Sequence, residues 1–329
     1  MTIVFASNDI NAFPSALINT VASKRRTAYV SEAFEVANGS EQGDFWPPNS
    51  VRTNFPEVSG NVTWIHFQGT KVTAESTSSA ADGRAIGEFF DSLGARICFI
   101  DVNNGLWILN VDGNASAGFT GPMGANTLRA IDIKIDTTGS NTVFELYSDQ
   151  VLIKSHTAAS SLGNPVSIFW VMRDLVGFAQ ETHFVISEFI VADEDTRDFG
   201  LSDMTPDATG NHTAWSGDHV ETGATDLGRL AHVTTTGQKL SSGLSSFAGP
   251  ASSALKALVV TNYASVRGGT VGDIRNFLRI NSTDYDGVAF GVGEAVQPFI
   301  NVFLTNPDTA SDWDTTDFSG VEIGIESLA

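Results

Sequence analysis

The sequence predicts an all-β protein built from two antiparallel β-sandwich, jelly-roll-like domains in tandem. Three observations carry this. Short apolar or alternating runs recur along the 329 residues with almost no helical period between them. Charged residues are only 17% while Gly (31), Ser, Thr and Asn are abundant, which suits turn-rich sheets better than helices. A polar, aperiodic stretch at 193–226 interrupts the strand signals, which then resume, so the chain divides. A hydrophobic content of 42%, with 22 Phe and 6 Trp, supplies a core for each half.

Taken in order, residues 1–30 form an N-terminal segment. It holds the apolar run Ile3-Val4-Phe5, an expected helix around Pro14 to Ala22, and Lys24-Arg25-Arg26, read as a solvated turn. Strands then crowd residues 31–198. "NVTWIHFQG" has large residues on both faces, as a strand inside a packed sandwich would. "AIGEFFDS" precedes "ARICFIDV" and "GLWILNVDG", which flank Asn103-Asn104-Gly105, and Asn-Gly between β-runs signals a hairpin. "RAIDIKIDT" sets Ile131, Ile133 and Ile135 on one face, with Asp132, Lys134 and Asp136 on the other. "TVFELYSDQVLIKSHTA" reads as a hairpin turning at Ser148-Asp149-Gln150, and "VSIFWVMRD" and "THFVISEFIVADED" complete the set.

Residues 199–226 read as a linker and the first loops of the second domain, which spans 227–329. Its expected strands are "GRLAHVTT", "ALKALVVTNYASVR", "IRNFLRINSTDYDGVAFGVG", "QPFINVFLTN" and "GVEIGIES". In the closing passage, Pro307 ends the strand before it, and Asp312 or Ser311 caps a short turn carrying Trp313 and Phe318 inward. Val321, Ile323 and Ile325 then alternate inward, with Glu322 and Glu326 facing out.

The formal charge of -20 is spread evenly, with 12 basic and 23 acidic residues in 1–199 and 6 and 15 in 200–329. No basic patch exists to neutralise a phosphate backbone, which argues against nucleic acid and anionic membranes as partners. No apolar run approaches the roughly 18 residues that would span a bilayer, so membrane insertion is not expected. The opening "MTIVFASNDINAF" lacks the features of a signal peptide. Cys98 stands alone in an apolar run and reads as a buried small hydrophobe.

Catalytic motifs are missing. There is no G-x-S-x-G elbow, and the six His form no metal-spaced pair apart from His212 and His219, seven apart. "RGGTVGD" lacks the Lys of a phosphate loop, and "SEAFEVANGSE" and "VADEDTRD" lack the paired carboxylates of a sandwich glycosidase. The expectation is a protein that is not an enzyme. Asp101, Asn103 and Asp112, with Asn104 and Asn114 beside them, offer hard oxygens suited to Ca²⁺. The same residues are the usual occupants of β-turns, so the expected cofactor is none, with Ca²⁺ as the alternative. Trp46 and Trp215, in loops, are candidates for stacking on a sugar, whereas Trp107 alternates within a strand and reads as core.

The stretch from "FFDSLGARICFIDV" to "FVISEFIVADEDTR" resembles a laminin-G or concanavalin-A-like jelly roll, which places that fold at 31–198. "ISEFIVADEDTRDFGLSDMTPDATGNHTAWSGD" and "FLTNPDTASDWDTTDFSGVEIGIES" resemble virion proteins of tailed bacteriophages. The matching residues are Ser187, Glu188, Val191 to Arg197, Thr305, Asn306, Pro307, Thr309, Trp313 and Gly324. The resemblance implies a structural component of a phage virion in a tail tip, fibre or spike, made in the host cytoplasm. It further implies other virion proteins as partners, a homo-oligomer such as a trimer, and contact with host surface glycan. The alternatives are a Ca²⁺-dependent carbohydrate-binding receptor protein and a head-decoration protein.

Overall fold

The computed structural model describes residues 2–8, 17–19, 33–39, 51–71, 84–103, 106–123, 127–160, 162–170, 182–222, 230–268 and 271–329. The chain forms two compact units, Met1–Leu201 and Ser202–Ala329. Among the described residues it is built from antiparallel sheets with a single helical turn, two tandem β-sandwiches as the strand pattern predicts.

In the first unit the strands are β1 (Ile3–Ser7), β2 (Leu17–Asn19), β3 (Ala33–Gly39), β4 (Val51–Asn54), β5 (Val62–Lys71), β6 (Arg84–Phe90) and β7 (Arg96–Asn103). They continue as β8 (Leu106–Val111), β9 (Asn114–Ala115), β10 (Phe119–Thr120), β11 (Arg129–Asp136), β12 (Asn141–Ser148), β13 (Val151–Ala159), β14 (Ser167–Trp170) and β15 (Thr182–Ala192). One sheet runs β13-β12-β11-β5-β15-β3-β2, with β1 also on β15. The other runs β10-β8-β7-β6-β14-β4, with β9 also on β8.

Alternation decides what lies between the sheets. Ile65 and Phe67 of β5 and Ile131, Ile133 and Ile135 of β11 are buried on the inner face. Rings from opposite sheets meet there: Phe67 is edge-on to Trp170 at 5.1 Å, and Phe89 of β6 to Phe144 of β12 at 5.7 Å. Each such ring contributes about 1.5–3 kcal/mol by leaving water. Cys98 is fully buried here, and burial pushes its thiol pKa up, so it is core and inert.

The turns follow the sequence. Ser148 pairs with Val151, and the two residues between them, Asp149 and Gln150, have φ of 47° and 71°, a two-residue primed turn. Asn103 pairs with Leu106, although residues 104 and 105 lie outside those described. The N-terminal segment differs from expectation: Leu17–Asn19 is a strand on β3 rather than part of a helix. Backbone pairing with an available sheet edge outweighs a weak local helical preference there.

β15 changes partners midway. Residues 182–186 pair with β3 and residues 189–192 with β1, and between them the ladder to β5 slips at a bulge where Glu188 takes φ 56°. Glu188 is fully buried, its N–H donating to Asn8 and its carboxylate accepting from the Leu201 N–H. That bond ties down the strap, 193–201, along which the chain leaves the unit.

The second unit contains β16 (Pro206–Thr213), α1 (His219–Thr222), β17 (Lys239–Leu244), β18 (Leu258–Ala264), β19 (Asp273–Ile280), β20 (Thr283–Gly291), β21 (Gln297–Phe303) and β22 (Glu322–Leu328). Its larger sheet runs β16-β17-β22-β19-β20, and β18 pairs with β21. Leu258, Val260, Leu278, Ile280, Trp313 and Val321 form one core cluster, and Leu240, Ile274, Phe299 and Ile325 another.

Three expectations are corrected in this unit. Pro206–Thr213, read as loop, is an edge strand on β17; its polar side chains hide a pairing made by backbone alone. Of "GRLAHVTT", the described residues form only an isolated bridge, Ser216 with His232. The terminal turn is capped by Asp314, not Asp312 or Ser311: its carboxylate accepts from Thr316 N–H, while Asp317 accepts from Asp314 N–H. Trp313 and Phe318 do turn inward, stacked at 5.6 Å, with the indole N–H on the Phe303 carbonyl.

β22 is the central strand, paired with β17 and β19 along its length. Glu322 and Glu326 leave the apolar face as expected but do not reach water, being only 9% and 8% exposed. They join a layer of charge on the far face of the sheet, centred on Phe277. Gly324 makes room for that ring, since any Cβ at 324 would lie inside it.

Candidate functional site

The site lies on the outer face of the larger sheet in the first unit. β5 turns Trp64, His66 and Gln68 outward because Ile65 and Phe67 turn in. Register sets Asp132 of β11 directly beside His66, with Ala130 beside Gln68 and Tyr147 of β12 beyond Asp132. Asp132 and His66 are buried, 0% and 1% exposed, because the strap covers them.

Asp132 Oδ1 lies 2.8 Å from His66 Nδ1 and accepts a second bond, also 2.8 Å, from Thr196 Oγ1 of the strap. An ionised carboxylate only accepts, so Nδ1 is the donor in this pair. Within the protein, His66 Nε2 and Asp132 Oδ2 are buried with no hydrogen-bond partner.

Arg197 anchors the strap from the next turn. Its guanidinium lies over Tyr147 (4.9 Å) and Trp64 (5.7 Å), and it is held by both carboxylate oxygens of Asp195. That pairing keeps Asp195 below the usual carboxylate range. Burial, with the bond it donates to Glu145, pushes the Tyr147 phenol up to about 12, so it stays a donor.

Between the strap and the Ser148–Gln150 turn is an open cleft of about 380 Å³. His66, Gln68 and Ala130 form its floor; Asp149, Gln150, Arg197, Asp198 and Phe199 are among its walls. Gln150 Nε2 donates to Asp198 across it at 2.8 Å, and Asp149 is held by Arg129 and the Ala130 N–H. The cleft therefore offers two primary amides and two carboxylates above the buried imidazole. Among the described residues that line it, none is Ser, Thr or Cys.

The residues singled out from sequence lie elsewhere. Trp46 and Lys24-Arg25-Arg26 fall outside the described residues. Trp215 is partly buried: its indole N–H is bonded to the Gln238 carbonyl, and its ring packs on the Leu240–Ile325 cluster. Asp112 occupies a turn with Gly113 and bonds back to Ile97, whereas Asp101 pairs opposite Ile108. The ladder holds these two carboxylates roughly 13 Å apart. Asn103 ends β7. No group of three or more His, Cys, Asp or Glu suited to a metal occurs among the described residues. Trp107 is buried, as read.

His66 and Asp132 were missed as a pair because nothing local joins residues 66 positions apart. The available signal was a His and an Asp each interrupting the outer face of a strand whose other face is apolar.

No protein-family model and no curated protein matches this chain. Solved structures similar to it include a cellulose-induced protein, Cip1, at 12% identity and TM-score 0.41, covering 58% of this chain and 97% of that one. Another is the binding domain of botulinum neurotoxin serotype C1, at 11% identity and TM-score 0.41, over 86% and 68%. A third is a GH131 β-glucanase catalytic domain from Podospora anserina, at 10% and 0.37, over 60% and 85%. Likeness at this level says nothing about ligand or activity.

Proposed function

We propose that this chain is a non-catalytic structural component of a phage virion, in a tail tip, fibre or spike, whose first unit binds glycan through the cleft above His66. The observation that carries the glycan reading is the open polar cleft over the buried His66–Asp132 pair, with the amides of Gln68 and Gln150 and the carboxylates of Asp149 and Asp198 among its lining. Amides and carboxylates set together in this way match the donors and acceptors of sugar hydroxyls. The virion placement is supported by the sequence resemblance at 185–220 and 300–326. Assembly as a trimer accords with that placement.

A glycan array probed with the whole chain and with His66→Gln tests the binding: array signals for the wild type that the variant loses are the expected result. Array silence from a folded wild type removes the glycan reading. Immunogold labelling of intact particles tests the placement, and antibody that decorates none of them rules it out.

A further inference from the structure

We infer that the cleft selects neutral glycans and excludes those bearing carboxylates; this rests on the glycan reading above. The argument is one of charge and hydrogen-bond direction. Of the described residues lining the cleft, Asp149 and Asp198 are acidic and Arg197 is the one Lys or Arg. Arg197 is already committed: Asp195 takes it through both carboxylate oxygens, and Tyr147 and Trp64 lie beneath its plane. A sialic acid or uronate would bring a negative charge to Asp198, beside an Asp149 already paired with Arg129, and find both guanidiniums, Arg129 and Arg197, committed to carboxylates. Like charges set together in a binding site cost several kcal/mol.

Direction points the same way. The Asp149 and Asp198 carboxylates, when ionised, only accept. A ligand that fits must bring several O–H donors close together, which is what the vicinal hydroxyls of an uncharged sugar provide. Gln68 and Gln150 supply the complementary donors.

The test is equilibrium binding to the whole chain of matched oligosaccharide pairs, each neutral glycan alongside its uronate or sialylated counterpart, at two salt concentrations. Three proteins are compared: wild type, Asp149→Asn with Asp198→Asn, and His66→Gln. The exposed Asp pair can be changed without touching the core. The expected result is neutral members bound at least about tenfold more tightly than their anionic partners. The double variant should narrow that gap, and His66→Gln should weaken every member.

Anionic members bound as tightly as neutral ones would overturn the inference and leave the glycan reading standing. No sugar of either kind bound by folded protein would remove both. A neutral sugar bound equally by all three proteins, each melting cooperatively, would place it outside the cleft and overturn the inference.

Discussion

The two units bury polar side chains on the outer face of a sheet in opposite ways. In the second unit the charges of this layer are answered. Asp284 receives Lys239 at 2.8 Å, Arg279 at 2.7 Å and His212 at 2.9 Å. Glu326 receives Arg275, and Glu322 accepts from Ser241 Oγ and from both nitrogens of Asn211. Lys239 and His212 also rest on the Phe277 ring, at 4.8 and 5.5 Å. In the first unit the corresponding group is smaller and deeper, and it stops short, with His66 Nε2 and Asp132 Oδ2 unmet. A closed network is explained by folding alone, whereas an open one beside a cleft is explained by what it receives.

The largest test of this contrast removes the strand on which the closed network hangs. Deleting residues 320–329 takes away β22, both glutamates and the strand that joins β17 to β19; we expect loss of soluble expression. A folded, soluble truncation would show that the second unit does not depend on its central strand.

Next in size is Asp132→Ala, which strands His66 Nδ1 and Thr196 Oγ1 in a dry site. It should cost about 3 kcal/mol, read as a fall in denaturant midpoint. Replacing His66, Asp132 and Thr196 together with apolar residues of similar volume should recover most of that loss while abolishing glycan binding. If the triple variant stayed as unstable as Asp132→Ala, the open network would be a stabilising feature rather than a site kept at some expense in stability.

Acid should destabilise the second unit. Burial alone would raise the Asp284 pKa, but hydrogen bonds from Lys239 and Arg279 and the charge of His212 outweigh it and hold the carboxyl below the usual range. Glu322 is likewise lowered, burial being overcome by Ser241, Asn211 and the charge of Arg279. Carboxyls depressed in the folded state contribute stability above their unfolded pKa of about 4, and it is lost as pH falls through the lower folded value. The melting temperature of this unit should therefore be level from neutrality to about pH 5 and fall below about pH 4. Asp284→Asn should start lower and fall less steeply.

The smallest expected effect is that of chelation. EDTA should leave both glycan binding and melting temperature unchanged, since the ladder keeps Asp101 and Asp112 roughly 13 Å apart. A clear downward shift in either measurement would restore Ca²⁺ to the first unit.

Much of the fold was legible because period and turn chemistry are local. The Ile131-Ile133-Ile135 face, the Ser148–Gln150 turn and the terminal strand all follow from neighbours a few residues apart. What stayed hidden depends on partners far along the chain. His66 meets Asp132 only through register, and the strap that buries them looks from sequence like a solvated strand exit. Glu322 and Glu326 read as surface because alternation shows which face a residue takes, not what lies over that face. Pro206–Thr213 had no apolar alternation to betray it. Trp215, read as a loop aromatic, is partly buried against the Leu240–Ile325 cluster, because a loop tryptophan can point inward as readily as out.

Gly324 gives one part of the sequence resemblance a physical meaning. A vacancy at that position seats Phe277, and Phe277 seats the cations that meet Asp284 and Glu326. The two positions, 47 apart in sequence, therefore form one unit of inheritance. Among chains of this architecture, glycine at 324 and an aromatic at 277 should be gained and lost together. A relative with a side chain at 324 should carry a small residue at 277 and a differently arranged set of charges around it.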